Sequence, residues 1–131
     1  VAFLSHSTFG KPISKNTKHV RDAIEKLKKE KVDFDFDGEM QPDVALNPIY
    51  QDIYPFSKIV GKANILIMPA LHSAAISTKL MKVFGGGKLI GPLLIGLGLP
   101  IEVAPLRAST SEILNLASIA SFSSDVIDYS N

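Results

Sequence analysis

The chain has 131 residues, a formal net charge of +1, no cysteine and no tryptophan, and 46% of it is hydrophobic. That length suits one domain, or one lobe of a larger protein, burying roughly two thirds of its unfolded surface. Leu, Ile, Val and Phe at about a third of the residues exclude a disordered chain; the even charge argues against nucleic acid or a membrane as partner, and the missing cysteines exclude disulfides, thiolate metal sites and a cysteine nucleophile, which fits a reducing cytoplasm.

Residues 1–5, VAFLS, enter directly as a buried-strand candidate, with no initiator Met and no basic leader followed by an apolar run. The chain therefore reads as a fragment of a longer protein. A polar loop, SHSTFGKP, follows at residues 5–12. The spacing of Val20, Ala23, Ile24 and Leu27 predicts a helix over residues 16–31 whose outer face carries Lys18, Arg21, Lys26, Lys28 and Lys29. Residues 32–40 read as a strand, Phe34 and Phe36 alternating with Asp33, Asp35 and Asp37. A turn-rich helical stretch over 41–54 leads to the apolar strand ILIM at 65–68, closed by Pro69.

A helix over 73–84 groups Ile76, Leu80, Val83 and Phe84 on one face and stops at Gly85, Gly86 and Gly87. Strands are expected over 88–95 and 101–104. A capping box, Ser109-Thr-Ser-Glu112, opens the last helix, to about residue 122. The longest apolar stretch, 89–103, is interrupted by Gly91, Pro92, Gly96, Gly98, Pro100 and Glu102, and is too short to span a bilayer. Apolar strands separated by helices imply an α/β fold, its mainly parallel sheet covered on both faces.

Two glycine motifs fall short of nucleotide sites. In Gly85-Gly-Gly-Lys88 the lysine is followed by Leu89, where Ser or Thr must hold Mg²⁺, and Lys82 stands at the earlier glycine. After Gly96-Leu-Gly98 the third glycine of a dinucleotide fingerprint is replaced by Ile101, and Pro100 spoils the helix start. Both read as helix termination and tight turns. The acidic run Asp33, Asp35, Asp37, Glu39 either binds a hard cation or faces water and the basic helix before it. The net −5 of residues 33–43 against the net +5 of residues 11–31 favours the second. His6, His19 and His72 lack ligand spacing, and His19 reads as solvated. Ser5, Ser7, Thr8 and Lys11, in a loop that follows a strand, suit either an anion such as phosphate or a plain turn. Arginine, the usual bidentate phosphate ligand, occurs only at positions 21 and 107.

Five blocks carry a family resemblance: VAFLSHST at 1–8, DGEMQPDVAL at 37–46, GKANILIMP at 61–69, IGPLLIGLGLP at 90–100 and STSEILNLASIA at 109–120. In this order and spacing they resemble the phosphate acetyl/butyryltransferase family. Within it, SHSTFG, DGEMQPDVALNP, YPFSK at 54–58 and MPALHSAAISTK at 68–79 look most like the phosphotransacetylase-like C-terminal region of bacterial NADP-dependent malic enzymes. The resemblance implies a three-layer α/β/α lobe akin to isocitrate and isopropylmalate dehydrogenases. It also implies the remaining domains of the parent as partners, a homo-oligomer, and acetyl-CoA as effector. NADP and Mg²⁺ or Mn²⁺ would serve the parent outside this fragment.

Phosphotransacetylases carry a Ser-Arg-Gly pattern after the GL-x-x-P block, which here falls on Pro105-Leu106-Arg107. Proline and leucine neither stabilise a developing oxyanion nor act as acid or base, so the resemblance implies binding without catalysis. The acyl-CoA or phosphate candidates are Ser5, Ser7, Thr8, Lys11 and Arg107. Two other readings stand beside this one: a lobe of a working phosphate acetyltransferase, and an α/β interaction module docking through its apolar helices.

Overall fold

The computed structural model describes residues 1–126, which form two compact units, Val1–Leu80 and a second from Met81 onward. In the first unit the strands β1 (Ala2–Leu4), β2 (Asp37–Met40) and β3 (Leu66–Ile67) make one sheet in the order β2-β1-β3, parallel throughout. The central strand is buried on both faces, which explains its unbroken apolar sequence. Ala2 and Leu4 point to one side and pack with Met40, Ala45, Ile59 and Ala63. Phe3 points to the other, against Val20, Ile24 and Phe36. Helices therefore cover both faces: α1 (Lys18–Leu27) one, α2 (Pro42–Leu46) the other.

The predicted helix over 16–31 is shorter at both ends. A 3-10 turn, Lys15–Thr17, precedes α1, capped by Ser14 Oγ accepting from the Asn16 amide. Past Leu27 the bonds tighten to three-residue spacing, Lys29 to the Lys26 carbonyl and Glu30 to that of Leu27, a common way to satisfy the last carbonyls of a helix. The strand expected over 32–40 begins only at Asp37, because the ladder starts where Ala2 faces Asp37 and residues 32–36 have no strand opposite. Residues 41–54 hold α2 and a 3-10 turn at Pro48–Gln51, as the turn-rich pattern suggests. The ILIM strand contracts to Leu66–Ile67.

Helix α3 (Leu71–Phe84) starts two residues earlier than expected and crosses from the first unit into the second. The strands expected over 88–95 and 101–104 do not form. Pro92 and Pro100 lack the N–H a ladder needs, and most of the intervening apolar side chains stay exposed, Ile95 at 90%. Helix α4 (Thr110–Val126) begins at the predicted capping box. Ser109 Oγ accepts from the Glu112 amide at 3.3 Å, while Glu112 Oε2 accepts from the Ser109 amide at 2.8 Å and its hydroxyl at 2.9 Å. Among the described residues no helix is long and apolar enough to cross a membrane.

Candidate functional site

The carboxyl end of a central parallel strand is where open α/β sheets bind ligands, and here it carries the hydroxyl-rich loop. Ser5, Ser7 and Thr8 are buried, whereas His6 and Lys11 are exposed. The loop closes as a tight two-residue turn. The Thr8 amide donates to the Lys11 carbonyl and the Lys11 amide to that of Thr8, with Phe9 at φ 48° and Gly10 at φ 83°. Two successive left-handed residues are the signature of a type I′ turn, where glycine fits without strain and phenylalanine does not. The Phe9 ring is anchored by Tyr54 and Phe56, with centroids 5.4 and 4.8 Å away.

Beneath the turn lies a group missing from the sequence-based set. Glu39 is 1% exposed, and its Oε1 accepts from Ser7 Oγ at 2.8 Å, the Gly10 amide at 3.1 Å and Arg21 Nη1 at 2.9 Å. Among the described residues its buried Oε2 has no hydrogen-bond partner. Arg21 reaches down from α1, also donating from Nη1 to Thr17 Oγ1 at 2.6 Å and from Nη2 to the Ser14 carbonyl at 3.3 Å. A cleft of about 450 Å³ opens beside this pair, between the turn and the helix, walled by Phe9, Gly10 and Ile24.

The acidic run, expected to face water or the basic helix, divides between several environments. Asp33 and Asp35 are exposed. Asp37 accepts from the Gly38 amide at 2.9 Å and the Lys58 amide at 2.8 Å, and Glu39 turns inward to the helix. The cause is a bulge: Phe3 faces Gly38 but Leu4 faces Met40, so Glu39 is skipped in the ladder and the in-out alternation fails. Gly38 permits it, since a Cβ there would sit 2.6 Å from the Phe3 carbonyl oxygen. The only signal in the sequence is Glu39's place inside the DGEMQPDVAL block, where alternation puts it on a solvated edge.

Of the five candidates, Ser5, Ser7, Thr8 and Lys11 share the loop. The Ser7 hydroxyl is spent on Glu39, and Thr8 Oγ1 accepts from the Gln41 amide at 3.1 Å. Both therefore fix the loop's shape, leaving Lys11 and His6 as its outward side chains. Arg107 lies exposed in the second unit, in a turn closed by the Ala108 amide donating to the Pro105 carbonyl at 2.9 Å. His19, expected to be solvated, is exposed, and its Nε2 lies 3.2 Å from the Pro69 carbonyl. No three His, Asp or Glu side chains converge to hold a metal among the described residues.

The small parallel sheet, with helices on both faces and a hydroxyl-rich loop at the end of its central strand, defines an α/β lobe. The backbone matches EutD phosphotransacetylase from Staphylococcus aureus with a TM-score of 0.80 at 32% identity, over 92% of this chain and 38% of that one. Residues 1–121 match the phosphate acetyl/butaryl transferase family, and the chain belongs to it. Among curated relatives it is 48% identical to the NADP-dependent malic enzyme of Rhizobium meliloti over 93% of the chain. It is 35% identical to the phosphate acetyltransferase of Clostridium acetobutylicum over 91%. The chain spans 16% of the length of the first and 36% of the second.

Proposed function

We propose that the chain is the C-terminal phosphotransacetylase-like region of an NADP-dependent malic enzyme. There it senses acetyl-CoA and helps hold a homo-oligomer together in the cytoplasm, without transferring acetyl groups itself. The parent reaction is malate plus NADP⁺ to pyruvate, CO₂ and NADPH, with Mg²⁺ or Mn²⁺, all bound by the remaining domains. The observation that carries this reading is the Pro105-Leu106 pair, where phosphotransacetylases have Ser-Arg, in a chain 48% identical to a malic enzyme. Proline has no N–H and leucine no polar side-chain group, so neither side chain supplies the charge stabilisation acetyl transfer needs.

Retained binding acts by linkage. An effector that prefers one quaternary arrangement shifts the malate site by its differential affinity, and a coupling of about 1–3 kcal/mol gives a useful response. In the first unit Lys11 is the proposed acyl-CoA or phosphate contact, on a loop that Ser5, Ser7 and Thr8 shape; Arg107 is a separate candidate contact in the second unit. The test is calorimetric titration of acetyl-CoA into the intact parent enzyme, beside an Arg107→Ala control. Binding that weakens in the control supports the effector site, while no heat at millimolar ligand overturns it and leaves assembly as the role.

A second reading, a lobe of an active phosphate acetyltransferase converting acetyl-CoA and phosphate to acetyl phosphate and CoA, is favoured by the 35% identity to such an enzyme. Acetyl phosphate formed by the intact parent and lost on Arg107→Ala would establish it.

A further inference from the structure

A single ion pair, its carboxylate fully buried, gathers several points of the loop that follows β1. Glu39 Oε1 takes the Ser7 hydroxyl and the Gly10 amide, and the Glu39 carbonyl takes the Phe9 amide at 2.8 Å. Arg21, bonded to the same Oε1, extends the link to the Ser14 carbonyl and Thr17 Oγ1 beyond the loop's far end. Residues 7, 9, 10, 14 and 17 thus converge on two residues, one from a strand bulge and one from a helix. All three side-chain bonds of the carboxylate fall on Oε1, and among the described residues Oε2 has no partner. A buried ion pair is by itself a poor source of stability, and its better-attested use is to specify one conformation.

We propose that Glu39, neutralised and braced by Arg21, is the positioning residue of this loop. It fixes the left-handed Phe9-Gly10 turn and thereby the placement of Lys11 and His6 toward a phosphate-bearing ligand. The inference rests on the acyl-CoA reading for its ligand, but the holding of the loop is a separate statement. Its sign is distinctive. A carboxylate near an anion site repels the anion, so removing Glu39 tightens binding if the residue acts only through its charge. Removing it weakens binding if the residue acts by holding the loop.

Two substitutions in the intact parent enzyme decide between these. Glu39→Met deletes the acceptor and the negative charge together. Arg21→Lys keeps the positive charge but loses the forked donors that reach Ser14, Thr17 and Glu39 at once. Both are expected to raise the Kd for acetyl-CoA, by about tenfold for Glu39→Met and less for Arg21→Lys, with Glu39→Gln recovering part of the loss because its amide oxygen still accepts from Ser7 and Gly10.

Amide hydrogen exchange supplies the readout that needs no ligand. The amides of Phe9, Gly10 and Lys11 should exchange at least about tenfold faster in Arg21→Lys, with those of α1 beyond its first turn unchanged. Unaltered exchange at these three amides overturns the proposal whether or not acetyl-CoA binds. Faster exchange with an unchanged or lower Kd in folded variants overturns its link to the ligand. Loop amides that respond in an enzyme whose unsubstituted form gives no binding heat refute the acyl-CoA reading and leave the positioning of the loop standing. Should Glu39→Met fail to fold, Arg21→Lys and Glu39→Gln carry the test.

Discussion

The burial of Glu39 has consequences at its own position and its neighbours. Its carboxylate collects three donors on one oxygen, and the chain makes room for it by passing Gly38 close under the central strand. Gly38 combines φ +146° with a Cβ position 2.6 Å from the Phe3 carbonyl oxygen. Gly38→Ala meets both backbone strain and overpacking, and is expected to destabilise by about 3 kcal/mol. Gly10, at φ +83° with nothing within 4 Å of where a Cβ would stand, meets strain alone, and Gly10→Ala should cost about 1 kcal/mol. Denaturant unfolding of the two variants checks the order; equal losses would mean that the contact with Phe3 carries no weight. In the sequence this shows only as Gly38 and as Glu39's place in the DGEMQPDVAL block. Alternation along a strand assigns Asp37 and Glu39 to one face, and a bulge that breaks alternation leaves no local mark beyond a glycine.

Among the elements, helix α4 shows what local sequence does encode. Ser109 and Glu112 lie three residues apart, the spacing at which a hydroxyl and a carboxylate satisfy each other's backbone donors. The Ser109 amide, then its hydroxyl, then Lys82 at 3.3 Å hold the Glu112 carboxyl down from its ordinary 4.5 to about 2. A carboxyl depressed in the folded state stabilises above its unfolded pKa and loses that contribution as pH falls. The capping contribution should therefore be complete above about pH 5 and decline between 4.5 and about 2. A carboxyl titration followed by NMR should find the Glu112 midpoint near 2 and return it toward 4.5 in Ser109→Ala, a change that also costs the helix about 1 kcal/mol. A midpoint near 4.5 in the unsubstituted protein would refute the closed box. Strands behave differently from helices here. Residues 88–95 and 101–104 have strand-like composition but form none, because a strand is stabilised across to a neighbour, and in 88–95 Pro92 also withholds a donor that a neighbour would need.

At the scale of the molecule, the exposed apolar surface is the dominant fact. Leu71, Val83 and Phe84 of α3 are each at least three-quarters exposed, and Ile95 and Leu106 are nearly or fully so. Exposed apolar surface on this scale marks contact with other chain segments or other chains, and the chain spans 16% of the length of its malic-enzyme relative. The chain is accordingly expected to bind a hydrophobic dye and to sediment as species larger than a monomer. A dye-silent monomer would contradict this.

What the sequence determined by itself is whatever short-range chemistry writes: the amphipathic spacing of α1, the capping box of α4, the buried central strand, and the ordered blocks that mark the family. The loop after β1 was also visible as a place. What only the tertiary structure decided is which groups hold it, since Glu39 and Arg21 meet across 18 positions through a bulge and a helix face. Hydrogen bonds between groups so far apart in sequence follow from how the sheet and helix pack, and no local pattern carries that information.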